Sequence, residues 1–150
     1  MTTQAQPSPR TGMSPEEMES FLAEVRNIIV ATIRRDGRPQ MTPNWFLWRD
    51  GKFYISTTKT RAKYANLKRD PRIQLVLDDA ERHCCLIVDG KAEILENIDE
   101  FIPYSRAIRT KHLGKPPDEQ ALREGLIREQ RVILKVTPDR PLEQWLSWKR

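Results

Sequence analysis

Apolar positions at helical spacing come first along the chain. Met18, Phe21, Leu22 and Val25 recur at i, i+3, i+4 and i+7, one stripe of a short helix. Ser14-Pro15-Glu16-Glu17 precedes the stripe with the signature of a helix start. The serine can cap the N–H of Glu17, Glu17 can reach back, and proline fits the first helical position. The period then shortens. Residues 27–33 are rich in β-branched side chains and end at Arg35-Asp36-Gly37-Arg38, a hairpin turn. Residues 40–48 predict a second strand, and Asp50-Gly51 turns the chain into a third over 52–57. Pro43 removes a ladder donor, so the second strand is expected to be bulged or at an edge there.

Residues 60–69 predict a second helix, stopped by Asp70-Pro71. Strands follow over 73–77 and 84–95, the longer one with a bulge or bend expected at Asp89-Gly90. Asn97 and Glu100 offer a second capping box for a helix that Gly114 closes. A further helix spans 118–128 with Leu122, Leu126 and Ile127 on one side, and a sixth strand runs over 131–136. The fold class this implies is mainly β with helices (α+β), a six-stranded antiparallel β-barrel with helical decoration. Residues 1–12 read as a disordered arm, and 13–150 as one domain ending in a tail at 138–150.

Composition sharpens this picture. At 150 residues, only 38% of them apolar, the chain can cover its barrel most cheaply by pairing with a second copy, so a homodimer is expected. No apolar run approaches the roughly 18 residues of a membrane span, and the first ten residues lack the apolar core of a secretory signal. Cys84 and Cys85 are adjacent and close no structural loop, which makes a cytoplasmic location the default. With His83 and His112 far apart, no metal site is expected.

The net charge of +5 favours an anionic partner, and its placement is informative. Lys59, Arg61 and Lys63 crowd the start of the second helix, behind the hydroxyls of Ser56, Thr57, Thr58 and Thr60. A helix N-terminus already presents positive potential, so cations there repel unless an anion sits among them. A phosphate would accept from the hydroxyls, the backbone N–H groups and a guanidinium together. The same pattern also fits a solvated basic helix with a threonine cap. A second candidate is Thr42-Pro43-Asn44-Trp45, where backbone freed beside the proline could meet the edge of a planar heterocycle. Charge concentrated at one helix start, not spread along a face, argues against nucleic acid. No serine stands in a nucleophile-elbow context and no acid pair stands out, so no catalytic residue is assigned and a cofactor would carry any hard chemistry.

Seven short motifs in order carry a resemblance. They are Ile-Ile-Val-Ala-Thr-Ile (28–33), Asp-Gly-Arg-Pro (36–39), Thr-Pro-Asn-Trp-Phe (42–46), Phe-Tyr-Ile-Ser-Thr-Thr (53–58), Arg-Ala-Lys-Tyr-Ala-Asn-Leu (61–67), Arg-Asp-Pro-Arg (69–72) and Val-Asp-Gly-Lys-Ala-Glu (88–93). Together they resemble the pyridoxamine-phosphate-oxidase-like split β-barrel proteins, FMN-binding-like in fold. Within these they resemble the B group of flavin/deazaflavin-dependent oxidoreductases, many of which use coenzyme F420. The resemblance implies a homodimer with cofactor sites between subunits. It implies that Ser56, Thr57, Thr58, Arg61 and Lys63 hold the cofactor phosphate, and that Thr42, Pro43, Asn44 and Trp45 lie along the ring system. It further implies hydride transfer to a small electron-poor substrate. FMN is the alternative cofactor, and a non-catalytic carrier of F420 or haem the alternative role. The tail, with Trp145 and Trp148, has no counterpart in the resemblance; a lid over the partner's site and packing on the surface are both open.

Overall fold

The computed structural model describes residues 12–149, so the expected disordered arm lies outside the described residues but for Gly12. Helix α1 (Pro15–Ala23) opens with the expected capping box: Glu17 N donates to Ser14 Oγ at 3.1 Å, and Ser14 N to Glu17 Oε1 at 3.2 Å. Its buried stripe is Met18, Phe21 and Leu22. Val25 does not belong to it. The chain turns extended at Glu24, to lead into the first strand, and leaves Val25 60% exposed.

Eight strands form one curled antiparallel sheet, not six. They are β1 (Ile28–Ile33), β2 (Pro39–Asn44), β3 (Phe46–Arg49), β4 (Lys52–Thr58), β5 (Arg72–Asp79), β6 (Cys84–Leu95), β7 (Arg131–Pro138) and β8 (Leu146–Trp148). Two departures account for the difference. The expected second strand breaks at Trp45 into β2 and β3, and the tail contributes β8, which pairs with β6. The sheet order is β2-β1-β5-β6-β7-β4-β3, so its two ends are consecutive in sequence and are joined through Trp45. Pro43 sits opposite Ile29 on β2, an end strand of this order, where a missing N–H costs least. Asp89 and Gly90 lie in unbroken register opposite Gln74 and Ile73, with neither turn nor bulge. Glycine is required at position 90 because an added Cβ would stand 2.7 Å from the Thr137 carbonyl oxygen.

Alternation divides the core in two. Phe53 and Ile55 of β4, with Leu134 and Val136 of β7, face the barrel interior and the α1 stripe. Their sequence neighbours Tyr54 and Ile133 face the opposite way into a cluster with Phe101, Ile102 and Ile108 of α3 (Ile98–Leu113) and Leu122 and Leu126 of α4 (Glu119–Arg128). Both strands are thus covered on both faces, and each large side chain so buried contributes about 1.5–3 kcal/mol. Asn97 caps α3 by accepting from Asp99 N, without the glutamate half of a capping box, and Gly114 closes it at φ 77°. Ile127 points away from the α4 stripe and is exposed. The tail seals its own barrel. Trp145 is buried against Phe53 and edge-on to Trp48, Ser147 Oγ accepts from Met13 N, and Lys149 pairs with Glu17.

Candidate functional site

Helix α2 (Ala62–Arg69) follows β4 and starts two residues later than the sequence suggests, with Arg61 at its N-cap and no side chain capping its first turn. Its place is fixed by a polar relay. Asn66 Nδ2 donates to Thr32 Oγ1 at 3.1 Å, and Thr32 Oγ1 donates to Gln40 Oε1 at 3.4 Å, tying the helix to β1 and β2. On the other side Tyr64 and Lys68 converge on Glu96. Held between these anchors, Lys63 is turned inward.

A cleft of about 590 Å³ opens where the curled sheet fails to close. Its walls are Gln40, Thr42, Pro43 and Asn44 of β2, Ser56, Thr57 and Thr58 of β4, Thr60 to Lys63 at the start of α2, and Arg131 of β7. Asn44 Nδ2 spans the gap by donating to the Ser56 carbonyl at 3.2 Å, and Asn44 Oδ1 accepts from Thr42. Eight of the nine residues singled out in the sequence line this one space: Thr42, Pro43, Asn44, Ser56, Thr57, Thr58, Arg61 and Lys63. Trp45 lines an adjoining cleft instead.

The electrostatics of the first cleft are unbalanced. Lys63 is only 3% exposed, and among the described residues its ammonium has neither a hydrogen-bond acceptor nor an acid partner. Burial holds it below the usual lysine range, and the Arg61 charge adds to the effect. Three cations (Arg61, Lys63 and Arg131) line the cleft with no acidic residue among them. Thr57 continues the inward face of Phe53 and Ile55 to the barrel mouth, where its Oγ1 is buried with no partner. Thr58 and Thr60 hydroxyls meet at 2.7 Å. Native structures pair their buried polar groups, so an orphan hydroxyl and an unpaired ammonium lining one cleft could together hold an anion with acceptor oxygens.

The adjoining cleft, about 540 Å³, shares Pro43, Asn44, Ser56 and Arg131 with the first and adds Trp45, Ser105 and Arg109. The break at Trp45 is braced by His112 from the last turn of α3. Its Nε2 accepts from Phe46 N at 3.2 Å, and its ring stacks on Trp45 at 4.9 Å. Burial lowers the His112 pKa, which keeps that acceptor available. Arg131 and Ser105 were not singled out in the sequence. Arg131 arrives from a strand far along the chain and carries no local signal. Ser105 does carry one, because it stands at i+4 from Phe101 and i−3 from Ile108, a hydroxyl where the helix stripe calls for an apolar side chain.

Among the described residues, no helix is long and apolar enough to cross a membrane, and no group of His, Cys, Asp and Glu could hold a metal ion. Comparison with known proteins agrees with the overall fold. A conserved hypothetical protein of Mycobacterium tuberculosis superposes with a TM-score of 0.79 at 26% identity, covering 97% of this chain and 90% of that one. An F420 reductase superposes at 0.66 with 29% identity, over 85% of this chain and 97% of its own. HutZ, the heme storage protein of Vibrio cholerae, matches at 0.67 over 90% and 93% of the two chains, but its 16% identity speaks to the fold alone. The family model for pyridoxamine 5'-phosphate oxidase matches residues 14–144, from the α1 cap to the turn before β8, and the chain therefore belongs to the pyridoxamine 5'-phosphate oxidase family.

Proposed function

We propose that this protein is an F420-dependent oxidoreductase, acting in the cytoplasm as a homodimer on a small electron-poor organic substrate. The observation that carries the reading is the first cleft, where the unpaired Lys63 ammonium and the orphan Thr57 hydroxyl converge at an uncapped helix start. These residues fit a phosphorylated cofactor. Arg61 and Lys63 would meet the phosphate charge, while Ser56, Thr57 and Thr58 would donate to its oxygens. Thr42, Pro43 and Asn44 would flank the ring system, with Asn44 fixed by its bond to the Ser56 carbonyl and Trp45 lining the adjoining cleft.

A bound deazaflavin supplies hydride transfer, chemistry that the side chains themselves lack. The chain's own part is to position and to exclude water. The β2 backbone beside Pro43 sets the depth of the cleft, and the tie between Asn66, Thr32 and Gln40 keeps α2, and Lys63 with it, from drifting. Exposed Met41, on the end strand β2, suits burial against a second copy. Coenzyme F420 is preferred to FMN on the likeness to an F420 reductase and on the basic residues Arg34, Arg35 and Arg38 between β1 and β2 and Lys59 before α2.

Titration with coenzyme F420 and with FMN, followed by turnover of a small enone with each in reduced form, tests the reading. Tighter binding of coenzyme F420 and enone reduction only when it is supplied are expected. Turnover with reduced FMN alone would make the protein a flavin enzyme, and binding without turnover would make it a carrier.

A further inference from the structure

Ser105 presents a second buried hydroxyl without a partner. It is 2% exposed, its Oγ makes no hydrogen bond, and it lines the adjoining cleft. Arg109 follows one helical turn later on the same face of α3 and lines the same space. Among the described residues Arg109 makes no ion pair. Arg131, by contrast, donates to Glu129 at 2.7 Å. The Trp45 indole lines the same cleft, one face covered by His112, the residue still 40% exposed.

The two clefts differ in charge. With Arg131 paired to Glu129, the first keeps the two uncompensated charges of Arg61 and Lys63, a match for a phosphate dianion. The second holds Arg109 and Arg131 against Glu129, a surplus of one positive charge, which matches a monoanion. Its volume of about 540 Å³ lies within the range for small-molecule sites. Its lining combines a guanidinium and a hydroxyl as donors with an aromatic plane.

We infer that the second cleft is a substrate subsite for a small conjugated carboxylic acid, its plane against Trp45 and its carboxylate on Arg109 and Ser105. As an assignment of substrate class this rests on the proposed function, because only the shared wall of Pro43, Asn44, Ser56 and Arg131 places such an acid beside the cofactor cleft. Arg109 fixes the anion through charge and Ser105 orients it through one hydrogen bond. Trp45 selects for a flat ligand and against a saturated chain of equal length.

Calorimetric titration of the full chain with trans-cinnamate, and with its neutral isostere trans-cinnamamide, tests the assignment. Cinnamate is expected to bind at least about tenfold more tightly than the amide, in keeping with a charge-assisted hydrogen bond. Arg109→Gln should erase that preference, Arg109→Lys should restore part of it, and Ser105→Ala should weaken cinnamate by about three- to tenfold. Coenzyme affinity should stay within about twofold in all three variants, while Lys63→Met should lower coenzyme affinity and leave cinnamate untouched. Equal binding of acid and amide would overturn the assignment, as would an Arg109→Gln variant that loses coenzyme and cinnamate alike. Discrimination of cinnamate by a protein that binds neither coenzyme would keep the carboxylate site and remove the proposed function instead.

Discussion

Replacing Lys63 with methionine removes one positive charge and keeps most of the side-chain volume, and it should move stability and binding in opposite directions. Without an anion in the cleft, the buried and unpaired ammonium works against folding, with Arg61 repelling it. Lys63→Met is therefore expected to stabilise the ligand-free protein by about 1 kcal/mol, within the range for relieving a single unfavourable feature. For a chain of this size that raises Tm by about 2–4 °C. With the coenzyme phosphate bound, the same ammonium donates a charge-assisted hydrogen bond worth about 1.5–3 kcal/mol. Its loss at mid-range weakens binding about 40-fold. At a coenzyme concentration 100 times the wild-type Kd, binding stabilises the wild type by about 2.7 kcal/mol and the variant by about 0.7 kcal/mol. Thermal unfolding with and without coenzyme reads all four states. The variant should melt above the wild type when free and gain a much smaller shift on binding. A variant that melts lower when free and shifts as far as the wild type would refute the reasoning, since Lys63 would then be a structural cation with a partner of its own.

Three further expectations follow from the packing. Gly90→Ala would drive a methyl group against the Thr137 carbonyl and Val136, and should cost about 1–3 kcal/mol in urea unfolding; an unchanged midpoint would mean that β6 and β7 can move apart there. Trp145→Ala should cost about 3–5 kcal/mol because it empties the site between Phe53 and Trp48, whereas a surface-packed tail would tolerate it within about 0.5 kcal/mol. Lys111 sits over the Phe46 ring and donates to the Leu22 carbonyl, and burial, helped by Arg26, lowers its pKa to about 8 from the ordinary 10.5. Between those values the unfolded chain binds more protons than the folded one, so stability rises with pH across that window and is lowest below it. Lys111→Met should flatten that part of the profile, and superimposable profiles for the two proteins would contradict the assignment.

Much of this was written in local pattern. The α1 cap needs only Ser14, Pro15 and Glu17, all within one turn, and the buried face of β5 (Ile73, Leu75 and Leu77) follows from alternation over a few residues. The cations at the start of α2 were legible for the same reason, since their mutual repulsion is a matter of sequence distance. Where tertiary context decides, local pattern failed. Val25 continues a helical spacing, but the chain must leave the helix at Glu24 to enter β1. Three residues of tail carry no period, so nothing local announced that Leu146–Trp148 would pair with β6, or that Trp145 would enter the barrel core. The break at Trp45 depends on His112, brought from the end of α3. Arg131 reaches the cleft only because β7 pairs with β4, Arg131 opposite Thr58, a register that neither strand specifies alone.

A crystal structure with bound coenzyme F420 tests the central claim most directly. The account predicts phosphate oxygens within hydrogen-bonding distance of Lys63 Nζ and Thr57 Oγ1, with Arg61 at the rim. Coenzyme lodged elsewhere on the protein, with water alone between Lys63 and Thr57, would contradict it.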